Sequence, residues 1–263
     1  MKKIALTSLL AVAAVSGAHA GVNVMDGNPL YMPQEGRFYN ETSLGSDTRN
    51  TNAVELGTEF GYGITDRFAV RVLTGVAERD WFEGGDWGDV ELGLTYRVFG
   101  DGAWKLDLMG DFGFGPMWAD HRPFLDEDDT NYVWSAGLRG GYVARDWTIA
   151  GYARFVYANT EMFNWGNDTA MWQNHMLNLG VVGHWTMSDN WSAIAGAEYY
   201  KVLDHYNDEA NRGAWELTAG LNYNIDTTKY VGLYVTKDVM HVATGNWEIL
   251  DGYGFGAKFG IDF

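Results

Sequence analysis

The stretch VELGLTYRVFGDGAWKLDLMGDFGF, residues 90–114, decides the fold. Apolar residues alternate with polar or small ones over residues 90–98, and the alternation resumes over residues 104–114. A side-chain period of two is that of a β-strand, in which successive residues point to opposite faces. The Gly-Asp-Gly at residues 100–102 suits a tight reversal between the two runs. The stretch therefore predicts a β-hairpin with one apolar face and one polar, glycine-rich face.

The same hairpin pattern recurs through the rest of the chain. Five short turns, each with an aspartate, separate alternating runs at residues 64–67, 100–102, 144–146, 187–190 and 225–228. Six longer polar connections lie near residues 45–52, 78–88, 116–130, 159–171, 204–212 and 241–249. These eleven connections predict twelve strands, with ten or fourteen as alternatives, and they put both termini at the end with the short turns. That arrangement is typical of an all-β, transmembrane, antiparallel up-and-down β-barrel of the bacterial outer membrane.

Two soluble all-β folds are alternatives. The spacing between turns overlaps the length of a propeller blade, and a lipocalin-like barrel would share the strand pattern. A propeller blade buries both faces of its inner strands, whereas here the second face is charged or glycine in strand after strand. The pattern therefore favours the membrane barrel.

The composition excludes several classes of function. The chain has 263 residues and no cysteine, which removes disulfide scaffolds, cysteine-ligated zinc and thiol catalysis. The 18 basic residues against 35 acidic ones give a net charge of −17, which argues against nucleic acid as a partner. Aromatic residues make up 15% of the chain, and few proline residues occur, so disorder is also disfavoured.

The first twenty residues have the features of a secretory signal peptide. Lys2 and Lys3 precede an apolar run over residues 4–15, and Ala18-His19-Ala20 fits a small-x-small cleavage site. We expect cleavage after Ala20, which leaves 16 basic and 35 acidic residues and a net charge of −19. Residues 21–35 are then predicted to form an N-terminal periplasmic segment, and residues 36–263 the barrel. Whether residues 21–35 enter the barrel is left open by the sequence.

Aromatic residues bracket the short turns, as expected for a girdle at the headgroup level of a membrane. The final strand alternates apolar residues and ends on an aromatic one, which resembles the assembly signal of outer-membrane barrels. We therefore expect outer-membrane lipid, lipopolysaccharide and, through the C-terminal strand, the barrel-assembly machinery as partners. The predicted girdle residues are Tyr62, Phe68, Phe99, Trp104, Tyr142, Trp147, Trp185, Trp191, Tyr223, Tyr230 and Phe263.

The polar face of the predicted strands would line the lumen and carry any function. By strand alternation, nine acids and six bases point inward, beside many glycine residues that would leave space. This predicts a narrow passive pore for small polar solutes or ions, with a modest preference for cations. In the alternative, the charges pair across the lumen and close it. The lumen-lining candidates are Glu55, Glu59, Arg71, Glu91, Arg97, Asp107, Asp111, Arg139, Arg154, Glu198, Glu216 and Lys258.

Other constellations give weaker signals. Asp126, Glu127, Asp128 and Asp129 make one loop acidic and a weak candidate for a divalent cation. The loop lacks the glycine and closing glutamate of an EF-hand, and a solvated acidic loop is the alternative, so no metal and no cofactor are predicted. No His-x-Ser pair for lipid hydrolysis occurs, and the nearest sequence, His184-Trp185-Thr186, lies at a short turn. The sequence therefore predicts no enzyme. The alternatives are a closed barrel that acts through its extracellular loops in adhesion or envelope structure and, more remotely, a hydrolase at the rim.

Two segments carry a resemblance to a known group of proteins. EFGYGITDRF at residues 59–68, followed by GDVELGLTYR at residues 88–97, is similar to the transporter barrels associated with meta-pathway phenol degradation. The family pattern usually has lysine where this chain has Thr95. The resemblance covers about forty residues and implies an outer-membrane transport barrel, without implying an aromatic substrate.

Overall fold

The computed structural model describes residues 27–47, 53–78, 85–87, 90–100, 102–115, 131–160, 172–203, 213–241, 247–249 and 252–263. No helix long and apolar enough to cross a membrane occurs in these ranges. Fourteen strands do occur, and their bounds are β1 Phe38–Asp47, β2 Ala53–Thr65, β3 Phe68–Glu78, β4 Gly85–Trp87, β5 Val90–Phe99, β6 Trp104–Gly115, β7 Asn131–Val143, β8 Trp147–Thr160, β9 Trp172–Thr186, β10 Trp191–Val202, β11 Gly213–Asp226, β12 Lys229–His241, β13 Trp247–Ile249 and β14 Gly254–Asp262.

The strands form one closed antiparallel sheet. The long strands, which are β1 to β12 without β4, together with β14, pair in chain order, and β14 pairs with β1, which closes the sheet into a barrel. The short strands do not add positions in the wall: β4 and β5 both pair with β3, and β13 and β14 both pair with β12. The wall is therefore a twelve-strand up-and-down barrel, which confirms the predicted architecture and strand number.

Alternation divides each strand between the two faces of the wall. In β6, the side chain of Leu108 is 46% exposed on the outside, whereas that of Asp107 is 0% exposed inside the barrel. An apolar outer face beside a polar inner face is the arrangement that a barrel needs in lipid. The apolar outer face is thus suited to contact with lipid, and polar side chains contact one another on the inner face.

Strand β1 is the exception on the outer face, where Asn40 and Thr42 are polar. The Asn40 side-chain amide donates to Thr58 Oγ1 at 2.9 Å and to the Glu59 carbonyl at 3.0 Å. The hydroxyl groups of Thr42 and Thr58 lie 3.2 Å apart. Because the groups bond one another, the patch needs no water. This local network explains how a strand with so few apolar residues is accommodated.

The five predicted short turns all connect consecutive strands at one end of the barrel. The start of β1 meets the end of the last strand there as well, because the backbone N–H groups of Phe38 and Phe263 each donate to the other residue's carbonyl at 2.8 Å. We call this the short-turn end, and the opposite end the loop end. Most residues of the six longer predicted connections lie outside the described residues.

Outward-facing rings surround the short-turn end. Trp104 and Trp147 both contact Tyr142, with ring centroids 5.1 and 5.5 Å away, and Trp191 contacts Tyr223 at 5.0 Å. Ten of the eleven predicted girdle residues lie on this outer face. The exception is Tyr230, which is 1% exposed inside the barrel. It borders a turn, but it shares the strand face of inward residues of β12 rather than that of Val231.

Candidate pore lumen

One row of inner-face residues crosses eight strands of the wall. Each member is the cross-strand partner of the next, and the row climbs from the short-turn end to the loop end. Its members on β5 to β12 are, in order, Arg97, Asp107, Arg139, Tyr152, Gly180, Glu198, Glu216 and Asp238. The row begins with alternating charges and ends with three adjacent acids.

The first three members form what we call the Asp107 cluster: Arg97, Asp107 and Arg139. Arg97 Nε donates to Asp107 Oδ1 at 2.8 Å, and Arg139 Nη2 donates to Asp107 Oδ2 at 2.7 Å. The second contact of Arg97, from Nη2 to Oδ2, measures 3.1 Å. Such charge-assisted, forked contacts are among the stronger hydrogen bonds in proteins. Two guanidinium groups thus compensate one fully buried carboxylate.

Arg71 is the centre of a second group of ion pairs. Its guanidinium contacts Asp111 at 2.5 Å, Glu59 at 3.3 Å and Glu91 at 3.5 Å. Asp111 also accepts a hydrogen bond from Ser135 at 2.8 Å and lies 3.6 Å from Arg154. The inner face of β3 to β8 is therefore a network of opposite charges.

The last three members of the row form what we call the carboxylate row: Glu198, Glu216 and Asp238. They lie on β10, β11 and β12, and each is buried on the inner face. Glu216 has Glu198 as its partner on one side and Asp238 on the other. Like charges directly opposite each other are unfavourable in a sheet unless water or cations screen them. Among the described residues, no group of acids or histidines has metal-binding geometry.

Inner tyrosine side chains occupy space that the sequence assigned to open lumen. A Cβ atom added to Gly61 would lie 2.0 Å from Tyr39 Cε1, and one added to Gly180 would lie 2.2 Å from Tyr152 Cζ. The expectation that inner glycine residues leave free space is therefore wrong at these positions. Tyr39 also donates to Glu59, and Tyr230 donates to Glu41. The rings thus pack over glycine while their hydroxyl groups reach carboxylates.

Part of the N-terminal segment lies inside the barrel. We call residues 27–33 the inner segment. The side chains of Leu30 and Tyr31 are buried, and Leu30 is 0% exposed. Tyr31 donates to Asp262 Oδ2 at 3.1 Å, near the C-terminal end of β14. Beside the segment lies a cavity of about 30 Å³ lined by Met32, Tyr39 and other residues, with room for one or two water molecules. The segment therefore occupies part of the lumen at the short-turn end.

The structure places every predicted lumen residue on the inner face, and most of them in the two ion-pair groups and the carboxylate row. Lys258 contacts Glu41 at 3.2 Å, and Glu55 lies on β2 beyond these groups. Among the side chains that the structure describes, two inner acids were not predicted: Glu41, between outward Asn40 and Thr42, and Asp238. The weak metal-loop candidates, Asp126, Glu127, Asp128 and Asp129, lie outside the described residues. His184, which the hydrolase alternative would use, is buried at the short-turn end rather than at the loop rim.

These features define an outer-membrane-type β-barrel, apolar outside and charged inside. Solved structures of this class are similar to the chain. The NanC porin matches with a TM-score of 0.59 and 11% sequence identity, and the match covers 84% of this chain and 98% of the porin chain. The KdgM porin matches with a TM-score of 0.57 and 10% identity, over 86% of this chain and 99% of the porin chain. An outer membrane channel from Pseudomonas putida F1 matches with a TM-score of 0.59 and 10% identity, over 93% of this chain and 99% of the channel chain.

These likenesses establish the fold, because the identities are too low to carry a function from one protein to another. They confirm the predicted resemblance to outer-membrane β-barrels. No family model and no curated protein matches the chain. The local resemblance of residues 59–68 and 88–97 to one group of transporter barrels therefore stays a prediction.

Proposed function

We propose that the chain is an outer-membrane barrel that forms a narrow, passive, non-enzymatic pore for small polar solutes or ions. The row from Arg97 to Asp238 is the observation that carries this proposal, because it provides a polar path along the inner face from one end of the wall towards the other. An eight-strand barrel is just filled by side chains, whereas sixteen to eighteen strands leave an aqueous channel. Twelve strands suit a pore of intermediate width. The three solved neighbours include two porins and a channel, which supports the same proposal.

The proposed selectivity is a modest preference for cations. Among the side chains that the structure describes, the sequence prediction missed two inner acids, Glu41 and Asp238. Glu41 lies 3.2 Å from Lys258, and Asp238 belongs to the carboxylate row, where three acids are adjacent. A ring or row of acids in a low-dielectric wall favours the passage of cations. The carboxylate row is therefore the proposed selectivity element.

The proposed location follows from the outer face and the leader. We propose export through the signal at residues 1–20 with cleavage after Ala20, and insertion into outer-membrane lipid and lipopolysaccharide. Phe255, Phe259 and Phe263 lie along the outer side of the C-terminal strand and are exposed. An alternating apolar strand of this kind suits recognition by the barrel-assembly machinery.

Current through planar lipid bilayers tests the pore directly. The purified, folded protein is expected to give discrete conductance steps, whereas a heat-denatured sample gives none. A closed barrel that acts only through its loops would insert without steps. The proposal is contradicted if folded wild type and folded variants with a released inner segment all insert and none of them conducts.

A further inference from the structure

The inner segment has a defined path into the barrel. The chain reverses at residues 34–37, where the Arg37 N–H donates to the Gln34 carbonyl at 3.0 Å. Gly36, with a φ of +76°, has the left-handed backbone that this turn requires. Its N–H donates to the Gly63 carbonyl at 2.8 Å, and the N–H of Gly63 donates to the Arg37 carbonyl at 3.0 Å. The barrel wall at Gly63 is thus the place where the segment turns inward.

Gly63 permits this path because it has no side chain. A Cβ atom at this position would lie 2.0 Å from the Gln34 carbonyl oxygen and 2.7 Å from that of Pro33. Both contacts are with backbone atoms, which cannot rotate away as a side chain can. Any larger residue at position 63 must therefore move the chain at residues 33–34, where the inner segment ends.

Deeper in the lumen, the Asp107 cluster binds the segment. Arg97 Nη2 donates to the Leu30 carbonyl at 2.8 Å, and Arg139 Nη2 donates to the Tyr31 carbonyl at 3.2 Å. The same two nitrogen atoms also donate to Asp107. The cluster carries two positive charges against one negative charge, so uncharged peptide carbonyls are suitable further acceptors for its N–H groups.

The segment does not form a strand of the sheet. The chain just after it has an isolated bridge between Glu35 and Gly63, whereas β1 forms a continuous register with each neighbour. The inner contacts include donors from Arg97 and Arg139 on the wall and from the Tyr31 hydroxyl of the segment. Such a segment can leave the lumen while every strand pair of the wall stays intact.

We propose that the inner segment is a displaceable plug that closes the proposed pore at its short-turn end, held by the Asp107 cluster and seated over Gly63. This inference rests on the proposed pore. With the segment docked, its buried side chains and backbone occupy the lumen at that end. With the segment released, the path along the inner face is open, and the N–H groups of Arg97 and Arg139 face water.

Two single-methyl variants of the full chain test the plug. Gly63→Ala adds a methyl group that collides with the segment. Gly113→Ala is the matched control, since its added Cβ is also inward but meets nothing closer than 3.8 Å. A second variant, Leu30→Glu, releases the segment independently by placing a carboxylate at a fully buried apolar position. Retention of the heat-modifiable gel shift verifies that each barrel is folded.

Two readouts are combined. The first is bilayer current per inserted protein, which we expect to rise severalfold in Gly63→Ala and Leu30→Glu but not in Gly113→Ala. The second is labelling of a single cysteine by a water-soluble methanethiosulfonate reagent, which is specific because the chain has no native cysteine. Leu30→Cys alone is expected to be protected, and Leu30→Cys with Gly63→Ala is expected to react.

The outcomes separate the plug from the pore. Labelling that increases in Gly63→Ala while its conductance steps match those of the wild type would overturn the plug and leave the pore standing. Labelling that increases without any conductance in any folded protein would overturn both. The segment would be shown to be fixed if Leu30→Cys with Gly63→Ala stays protected from the reagent and the current is unchanged in Gly63→Ala and in Leu30→Glu. That result would also overturn the plug.

Discussion

Two trios of residues lie in one row of the barrel wall and differ in the charges that flank the central acid. Asp107 has an arginine on either side, at positions 97 and 139, whereas Glu216 has an acid on either side, at positions 198 and 238. Both central residues are inward-facing and buried. The first trio places two positive charges beside one negative charge and binds the inner segment. The second places three acids side by side on the inner face. Cross-strand pairing in one row thus brings opposite charges together near one end of the barrel and like charges together near the other.

Removal of the central charge from the first trio is expected to have the largest effect. Asp107→Asn leaves two buried guanidinium groups without their carboxylate, and breaking a buried pair in this way costs about 3–5 kcal/mol. Urea unfolding of the barrel in lipid vesicles measures the loss. The control, Asp189→Asn, removes an exposed acid at a short turn and should change the free energy of unfolding by less than about 0.5 kcal/mol. Equal effects of the two variants would show that the ion pairs do not hold the wall.

Tyr230 tests the boundary between the outer girdle and the inner face. Tyr230→Phe removes the hydroxyl that donates to buried Glu41, and an unsatisfied buried partner costs about 1–3 kcal/mol. Tyr223→Phe, on the outer face of the same turn, is expected to cost less than about 0.5 kcal/mol. The same unfolding assay compares them. A larger loss of unfolding free energy in Tyr223→Phe than in Tyr230→Phe would contradict the inward assignment of Tyr230.

The smallest effect concerns a charge outside the wall. Asp226 is exposed at a short turn, and hydrogen bonds from the Thr228 hydroxyl and N–H and from Lys229 lower the pKa of its carboxyl to about 2. A lowered pKa means that this stabilisation is present above the ordinary pKa, near 4, and is lost as the pH falls through about 2. Asp226→Asn should therefore unfold slightly more easily than wild type at pH 6, and the difference should shrink as the pH falls toward 2 and vanish below it. A difference that persists unchanged at pH 2 would contradict this assignment.

Alternation in the sequence was sufficient to predict the strand number and the inward direction of residues such as Asp107 and Asp111. It did not predict which charges pair, because pairing depends on register, and register shifts at bulges such as the one between Arg97 and Phe99. Tyr230 was placed in the girdle by its nearness to a turn, although its parity along β12 points inward. Glu41 was missed because its neighbours on β1 are polar and do not mark an outer face.

The position of the inner segment had no signal in the sequence at all. The wall recognises it through the backbone carbonyls of Leu30 and Tyr31, which any residue types would offer. The matching feature on the wall is a missing side chain, at Gly63. Contacts that are made by backbone atoms and permitted by glycine leave little trace in residue types, so the sequence does not predict the position of the segment.

The most direct test of the central claim is the reversal potential of the open pore in a KCl gradient at low salt, where the charges of the wall are least screened. The carboxylate row predicts a potential that favours K⁺ over Cl⁻, and Glu216→Gln should move it toward zero. Asp189→Asn, which removes an equal charge from an exposed turn, should leave it unchanged. A wild-type potential that favours Cl⁻, or one that does not change in Glu216→Gln, would contradict the account.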